Sequence, residues 1–151
     1  MADSQIIASG TVTTLLGLTE PQMVKFVRAQ HWPDYRAQQI LRWIYQRRAR
    51  TLTDMTDLPM HDRMTLSPST KVGRSAQTTI LSSQDGTRKL LLMLDDGLTI
   101  EAVLIPDEDR LTLCVSTQVG CMLDCGFCLT GSMGLKRNLK LHEIIDQVLH
   151  A

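Results

Sequence analysis

Three cysteines, Cys121, Cys125 and Cys128, stand in the octapeptide CMLDCGFC. Thiolates spaced CxxxCxxC can each reach a different iron of one [4Fe-4S] cubane, because the loop that carries them curls around it. The fourth iron is then left without a protein ligand. Such an open metal position is what radical chemistry with S-adenosyl-L-methionine (SAM) uses. Phe127, just before the third cysteine, would add an apolar wall that limits solvent access and tunes the cluster's potential. A structural zinc site is the alternative. It prefers four ligands, commonly as two CxxC pairs, and the further candidates here are Cys114 and His142.

The bulk composition fits a folded, soluble chain of roughly one domain. Its 151 residues are 43% hydrophobic and 21% charged, with 16 basic side chains against 16 acidic ones. Net charge therefore gives no global sign of a nucleic-acid partner. Locally the balance is uneven: Arg36, Arg42, Arg47, Arg48 and Arg50 fall in a stretch that holds no acid. Such a run can grip RNA phosphates or can be a solvated helix face, with charges placed near a C-terminal dipole. No apolar run is long enough to span a bilayer, and MADSQIIASG has no basic stretch followed by a hydrophobic one. A cytoplasmic protein is expected. In that reducing compartment, clustered cysteines read as metal binding or redox chemistry rather than a disulfide framework.

The elements that must hold the cysteine loop can be read from pattern. Residues 12–66 look helical. Thr19-Glu-Pro-Gln22 offers a capping box with proline near the first helical position. A second helix begins at Asp34, with Ala37, Ile40, Leu41, Ile44 and Tyr45 spaced as one buried face. A short third helix follows Pro59, and residues 67–71 read as a linker broken by Pro68. The period then changes to that of strands, at 78–81, 88–94 and 98–105, with Asp85-Gly86 and Asp96-Gly97 as hairpin turns. A fourth strand, 111–116, runs into the cysteine loop, which continues through Gly131 and Gly134 to a basic patch, Lys136-Arg137. A last helix starts near Leu141 with Leu141, Ile144, Ile145, Val148 and Leu149 on one stripe, and it meets no stop signal before Ala151.

Two further residues invite a chemical reading. Glu101 lies on a strand with apolar neighbours on both faces, an environment that raises a carboxyl pKa and suits a general base. An ordinary glutamate reaching solvent is the competing reading. Cys114 lies just upstream of the cluster loop, although a lone cysteine in a strand is usually a small hydrophobe.

The stretch Leu111-Thr-Leu-Cys-Val-Ser-Thr-Gln-Val-Gly-Cys-Met-Leu-Asp-Cys-Gly-Phe-Cys128, followed by Thr130-Gly131 and Gly134-Leu-Lys-Arg-Asn-Leu139, resembles the RlmN family. These are bacterial dual-specificity radical SAM methyltransferases of 23S rRNA and tRNA. The resemblance covers essentially the whole chain, including Ile105-Pro106 and the acidic run Asp107-Glu108-Asp109. It implies an α+β architecture: a small helical domain over 1–66, a linker and β-hairpin extension over 67–110, and the first βα unit of an incomplete radical SAM (β/α) barrel over 111–151. It also implies cluster ligation by Cys121, Cys125 and Cys128, product release assisted by Cys114, and a proton-accepting Glu101.

The activity so implied is methylation of carbon 2 of a specific adenine in 23S rRNA and in tRNA, through a methyl-cysteine intermediate. The cofactors are a [4Fe-4S] cluster and SAM. The partners are the two RNAs and an electron donor, and the protein is expected to be a monomer. The target base must be unstacked, which suits a loop or single-stranded RNA. The methyl-carrying cysteine and the Gly-Glu-Pro segment of the family have no counterpart before Ala151, so an N-terminal fragment inactive by itself is expected. Lys140 stands where the family often has a hydroxyl residue to cap the last helix. A sister enzyme that methylates carbon 8 of the same adenine, and a zinc-stabilised RNA-binding module, are the alternatives.

Overall fold

A computed structural model describes residues 12–123, 126 and 133–151, and the chain divides into two compact units that meet between Arg74 and Ser75. In the first unit, β1 (Thr13–Thr14) is followed by α1 (Glu20–Ala29), α2 (Tyr35–Tyr45), a 3-10 turn (Leu52–Asp54), α3 (Met60–Leu66) and β2 (Thr70–Lys71). The expected capping box forms. Gln22 folds back so that its Oε1 accepts the Thr19 N–H at 2.8 Å. In α2, Ala37, Ile40 and Ile44 are buried as their spacing demands, while Tyr45 at the helix end is exposed. They join Leu15, Met23, Val27, Met55, Leu58 and Val72 in the core.

The region expected to be a linker is partly structured. Thr70–Lys71 pairs in parallel with Thr13–Thr14, and Leu15 and Leu16 donate on to the carbonyls of Lys71 and Val72 at 3.0 and 2.9 Å. The two ends of the unit are thereby fastened to each other.

The second unit is an antiparallel meander of β3 (Ala76–Ser82), β4 (Arg88–Met93), β5 (Thr99–Asp107) and β6 (Arg110–Cys114), in that spatial order. Both Asp-Gly turns occur where expected, with Gly86 and Gly97 at φ of 83° and 80°. Leu90, Leu92, Leu94, Ile100 and Ala102 fill the inner face. Beyond β6, a short pair the sequence pattern did not show, β7 (Gln118–Val119) with β8 (Arg137–Asn138), closes the base of the cysteine loop. The Lys136 N–H donates to the Val119 carbonyl and the Leu139 N–H to that of Thr117, both at 2.9 Å. Gly120 has φ of 74°, and a β-carbon there would stand 1.9 Å from the Gly134 carbonyl oxygen. No residue with a side chain fits that crossing.

The last helix, α4 (Leu141–His150), corrects the expectation of a buried apolar stripe. Leu141 and Val148 are 60% and 55% exposed, whereas Glu143, Asp146 and Gln147 are buried. Each of these three side chains has at least one partner. Arg137 holds Glu143 through two hydrogen bonds at 2.7 and 2.8 Å, and it also reaches Asp96 at 2.7 Å. The Lys140 N–H donates to Glu143 at 2.7 Å, so the N3 half of a capping box forms although the lysine side chain cannot accept the other half. Arg137 is thus a committed structural cation rather than part of a free basic patch. Gln147 pairs with the backbone of Ser116 in both directions, accepting its N–H at 2.7 Å and donating to its carbonyl at 2.8 Å. Asp146 accepts the Ser75 N–H at 2.7 Å and the Ser75 hydroxyl. Of the expected stripe, Ile144 packs against the inner core.

Burial alone would push the Glu143 carboxyl upward, but the Arg137 and Lys140 hydrogen bonds hold it below its ordinary range. The resulting stability is present above the ordinary glutamate value of about 4.3 and is lost as pH falls through the lower folded-state value. Urea midpoints should therefore decline as pH is lowered below about 4. Arg137→Met should shrink that decline and cost about 2–3 kcal/mol near neutrality, since it strands a buried carboxylate. Gly120→Ala should cost about 2 kcal/mol or more in the same measurement, because the Gly134 backbone must move. Gly97→Ala, at a positive φ in open space, should cost only about 1 kcal/mol.

Candidate active site

The alternation of β5 sorts its side chains onto two faces. Ile100, Ala102 and Leu104 are buried, while Glu101 and Ile105 are exposed and Val103 is half-buried between them. Register then brings residues from three strands together on the outer face. Val103 stands opposite Lys89 of β4 on one side and Cys114 of β6 on the other. Residues directly opposite each other in an antiparallel pair share a face. Glu101 is two residues along β5 from Val103, on that same face. The two chemical candidates thus stand on one surface, with Lys89 beside them.

Glu101 does not lie in the apolar enclosure expected from its neighbours. Its side chain is about half exposed, and Oε1 is 3.1 Å from the Lys89 ammonium. Its backbone is paired with Leu91 of β4, and it lies just beyond the point where β5 begins to pair with β6. The Glu101 carbonyl also accepts the Ser116 hydroxyl at 2.8 Å. Ser116 follows Cys114 by two residues and is the one clamped by Gln147. Cys114 itself is an exposed free thiol.

Cys121 opens the loop immediately after the Gly120 crossing. It is a free, half-buried thiol whose Sγ accepts the Leu123 N–H at 3.5 Å. Backbone N–H donation to sulfur is compatible with a cluster ligand. Cys125, Cys128 and Phe127 lie outside the described residues. The donor chemistry of the CxxxCxxC set, judged at Cys121, fits a soft metal or an iron–sulfur cluster.

Charge divides between the two units. Residues 1–74 carry ten basic and six acidic side chains, and residues 75–151 carry six basic and ten acidic ones. The neutral total conceals a basic unit and an acidic one. Within the basic unit, Arg36 is spent on Gln39 and on the Asp57 carbonyl. Arg47 lies over the Trp43 ring at 4.3 Å. Arg42 and Arg48 are exposed, with no acidic partner among the described residues. No helix among the described residues is long and apolar enough to cross a membrane.

Lys89, Ser116 and Gln147 were not singled out by sequence pattern. A signal for Lys89 did exist: counting outward from the Asp96-Gly97 turn places it opposite Val103.

Residues 13–72 match the family described as the ribosomal RNA large subunit methyltransferase N-terminal domain. A probable dual-specificity RNA methyltransferase RlmN of Thermosynechococcus vestitus is 50% identical over 135 residues, covering 89% of this chain and 40% of that protein. The dual-specificity RNA methyltransferase RlmN of Geobacter sulfurreducens is 44% identical over 138 residues, covering 91% of this chain and 38% of that protein. Among solved structures, a radical SAM methyltransferase from Sphaerobacter thermophilus is 39% identical with a TM-score of 0.85, covering 92% of this chain and 41% of that one. The chain spans about two fifths of the length of the curated relatives it matches. Residues 13–72 are thus similar to that N-terminal domain, and about nine tenths of the chain is similar to proteins named RlmN.

Proposed function

We propose that this chain supplies the RNA-gripping unit and part of the catalytic face of a radical SAM RNA methyltransferase that modifies carbon 2 of an adenine in 23S rRNA and tRNA. The observation that carries the reading is the meeting of Glu101 and Cys114 on one sheet face, on strands that lead into the cysteine loop. Cys121, Cys125 and Cys128 would hold a [4Fe-4S] cluster, which when bound supplies the electron for reductive cleavage of SAM. Residues 111–151 would form the first βα unit of the barrel around it.

The chain's own residues have separable tasks. Glu101 accepts a proton at its carboxylate, where one oxygen is paired with Lys89 and the other has no partner among the described residues. Cys114 presents a thiol to the product-release step from the neighbouring strand. The β7–β8 pair and the Gly120 crossing hold the two ends of the cysteine loop together. Arg42 and Arg48 neutralise phosphates of the RNA, as their lack of acidic partners leaves them able to do.

Anaerobic reconstitution of the chain should yield about four irons and four sulfides, and alanine at Cys121, Cys125 or Cys128 should abolish this. Stoichiometric zinc without iron would replace the cluster with a structural metal. In filter binding to an unmodified rRNA fragment, Arg42→Glu with Arg48→Glu should weaken affinity about tenfold or more at low salt. The salt-dependence slope should fall by about one per lost phosphate contact. An unchanged slope would return these arginines to the role of a solvated surface.

A further inference from the structure

We propose that Lys89 is the positioning residue for the Glu101 carboxylate; the inference rests on the reading of Glu101 as a proton acceptor. The backbone of Glu101 is fixed two ways, by its pairing with Leu91 of β4 and by the Ser116 hydroxyl on its carbonyl. Neither of these fixes the carboxylate, which lies three rotatable bonds from the chain. Among the described residues, Lys89 is the group that does so. Its ammonium meets Oε1 at 3.1 Å, and no other described residue engages Oε2.

The register makes this contact specific. Lys89, Val103 and Cys114 form one row across β4, β5 and β6. A side chain at position 89 that reaches toward residue 101 therefore draws its carboxylate along the row's edge, beside the strand pair that carries Cys114. The compact ammonium suits the task, because it engages one oxygen as a point charge rather than occupying both in a guanidinium fork. Stability does not account for the contact. With the two side chains 42% and 49% exposed, such a pair contributes little to folding.

The test is single-turnover and steady-state methylation of RNA by a full-length enzyme that carries this segment. Lys89→Met should lower kcat about tenfold to a hundredfold, leaving the KM for RNA and the melting temperature essentially unchanged. Lys89→Arg should restore part of the loss. Introduced beside Glu101→Gln, Lys89→Met should cost nothing further, because it acts through the carboxylate that is already gone. Wild-type kcat in Lys89→Met would overturn the proposal, as would losses that add in the double variant. A raised KM with kcat intact and a shallower salt dependence would make Lys89 a phosphate contact instead. If Glu101→Gln alone keeps full kcat, the proton-acceptor reading itself fails, and that result is distinct from a failure confined to Lys89.

Discussion

Burying Glu143, Asp146 and Gln147 along α4 commits each of them to a partner, and those partners are the segments that frame the cysteine loop. Glu143 takes Arg137, which belongs to the returning strand of the loop's base. Gln147 takes Ser116, on the outgoing side between Cys114 and β7. Asp146 takes Ser75, where the chain enters the sheet. One helical stripe, at spacings of three and four, therefore holds both sides of the loop and the start of the sheet beneath it.

An apolar stripe in the same place would contribute burial energy without direction. Leucines tolerate sliding by part of a turn, whereas a bidentate guanidinium–carboxylate pair and a two-way amide contact do not. The consequence is asymmetric. Every member must be satisfied, since a half-satisfied buried network is worse than an apolar one. The inner core of Leu90, Leu92, Leu94 and Ile100 supplies the non-directional part, and Ile144 connects α4 to it. Division of labour follows: apolar contacts make the unit compact, and the polar stripe fixes where the loop base sits.

This division explains what was legible in the sequence. The capping box at Thr19 and Gln22, the spacing of Ala37, Ile40 and Ile44, and the two Asp-Gly hairpins are local, and local patterns carry their own geometry. β1 and β2 are two residues each and far apart in the chain, and β7 and β8 are equally short, so no periodicity can announce them. The buried face of α4 is hidden from the sequence for a different reason. Its apolar residues do form a stripe, but the buried side is decided by partners such as Arg137 and Ser116, which a helical period does not reveal. Glu101 is similar: alternation placed it on the face opposite Ile100 and Ala102, while its actual neighbour Lys89 is set by cross-strand register.

Register also connects the two faces of the sheet, and Ser116 is the place where they meet. Its backbone is held in both directions by Gln147 from the buried stripe, and its hydroxyl reaches the carbonyl of Glu101. A shift of β6 by one residue would turn Cys114 to the inner face and take Ser116 away from both contacts at once. The polar network that closes the cysteine loop therefore also penalises the slip that would separate Cys114 from Glu101. Loop closure and the alignment of the outer face are, in this unit, two consequences of the same set of hydrogen bonds.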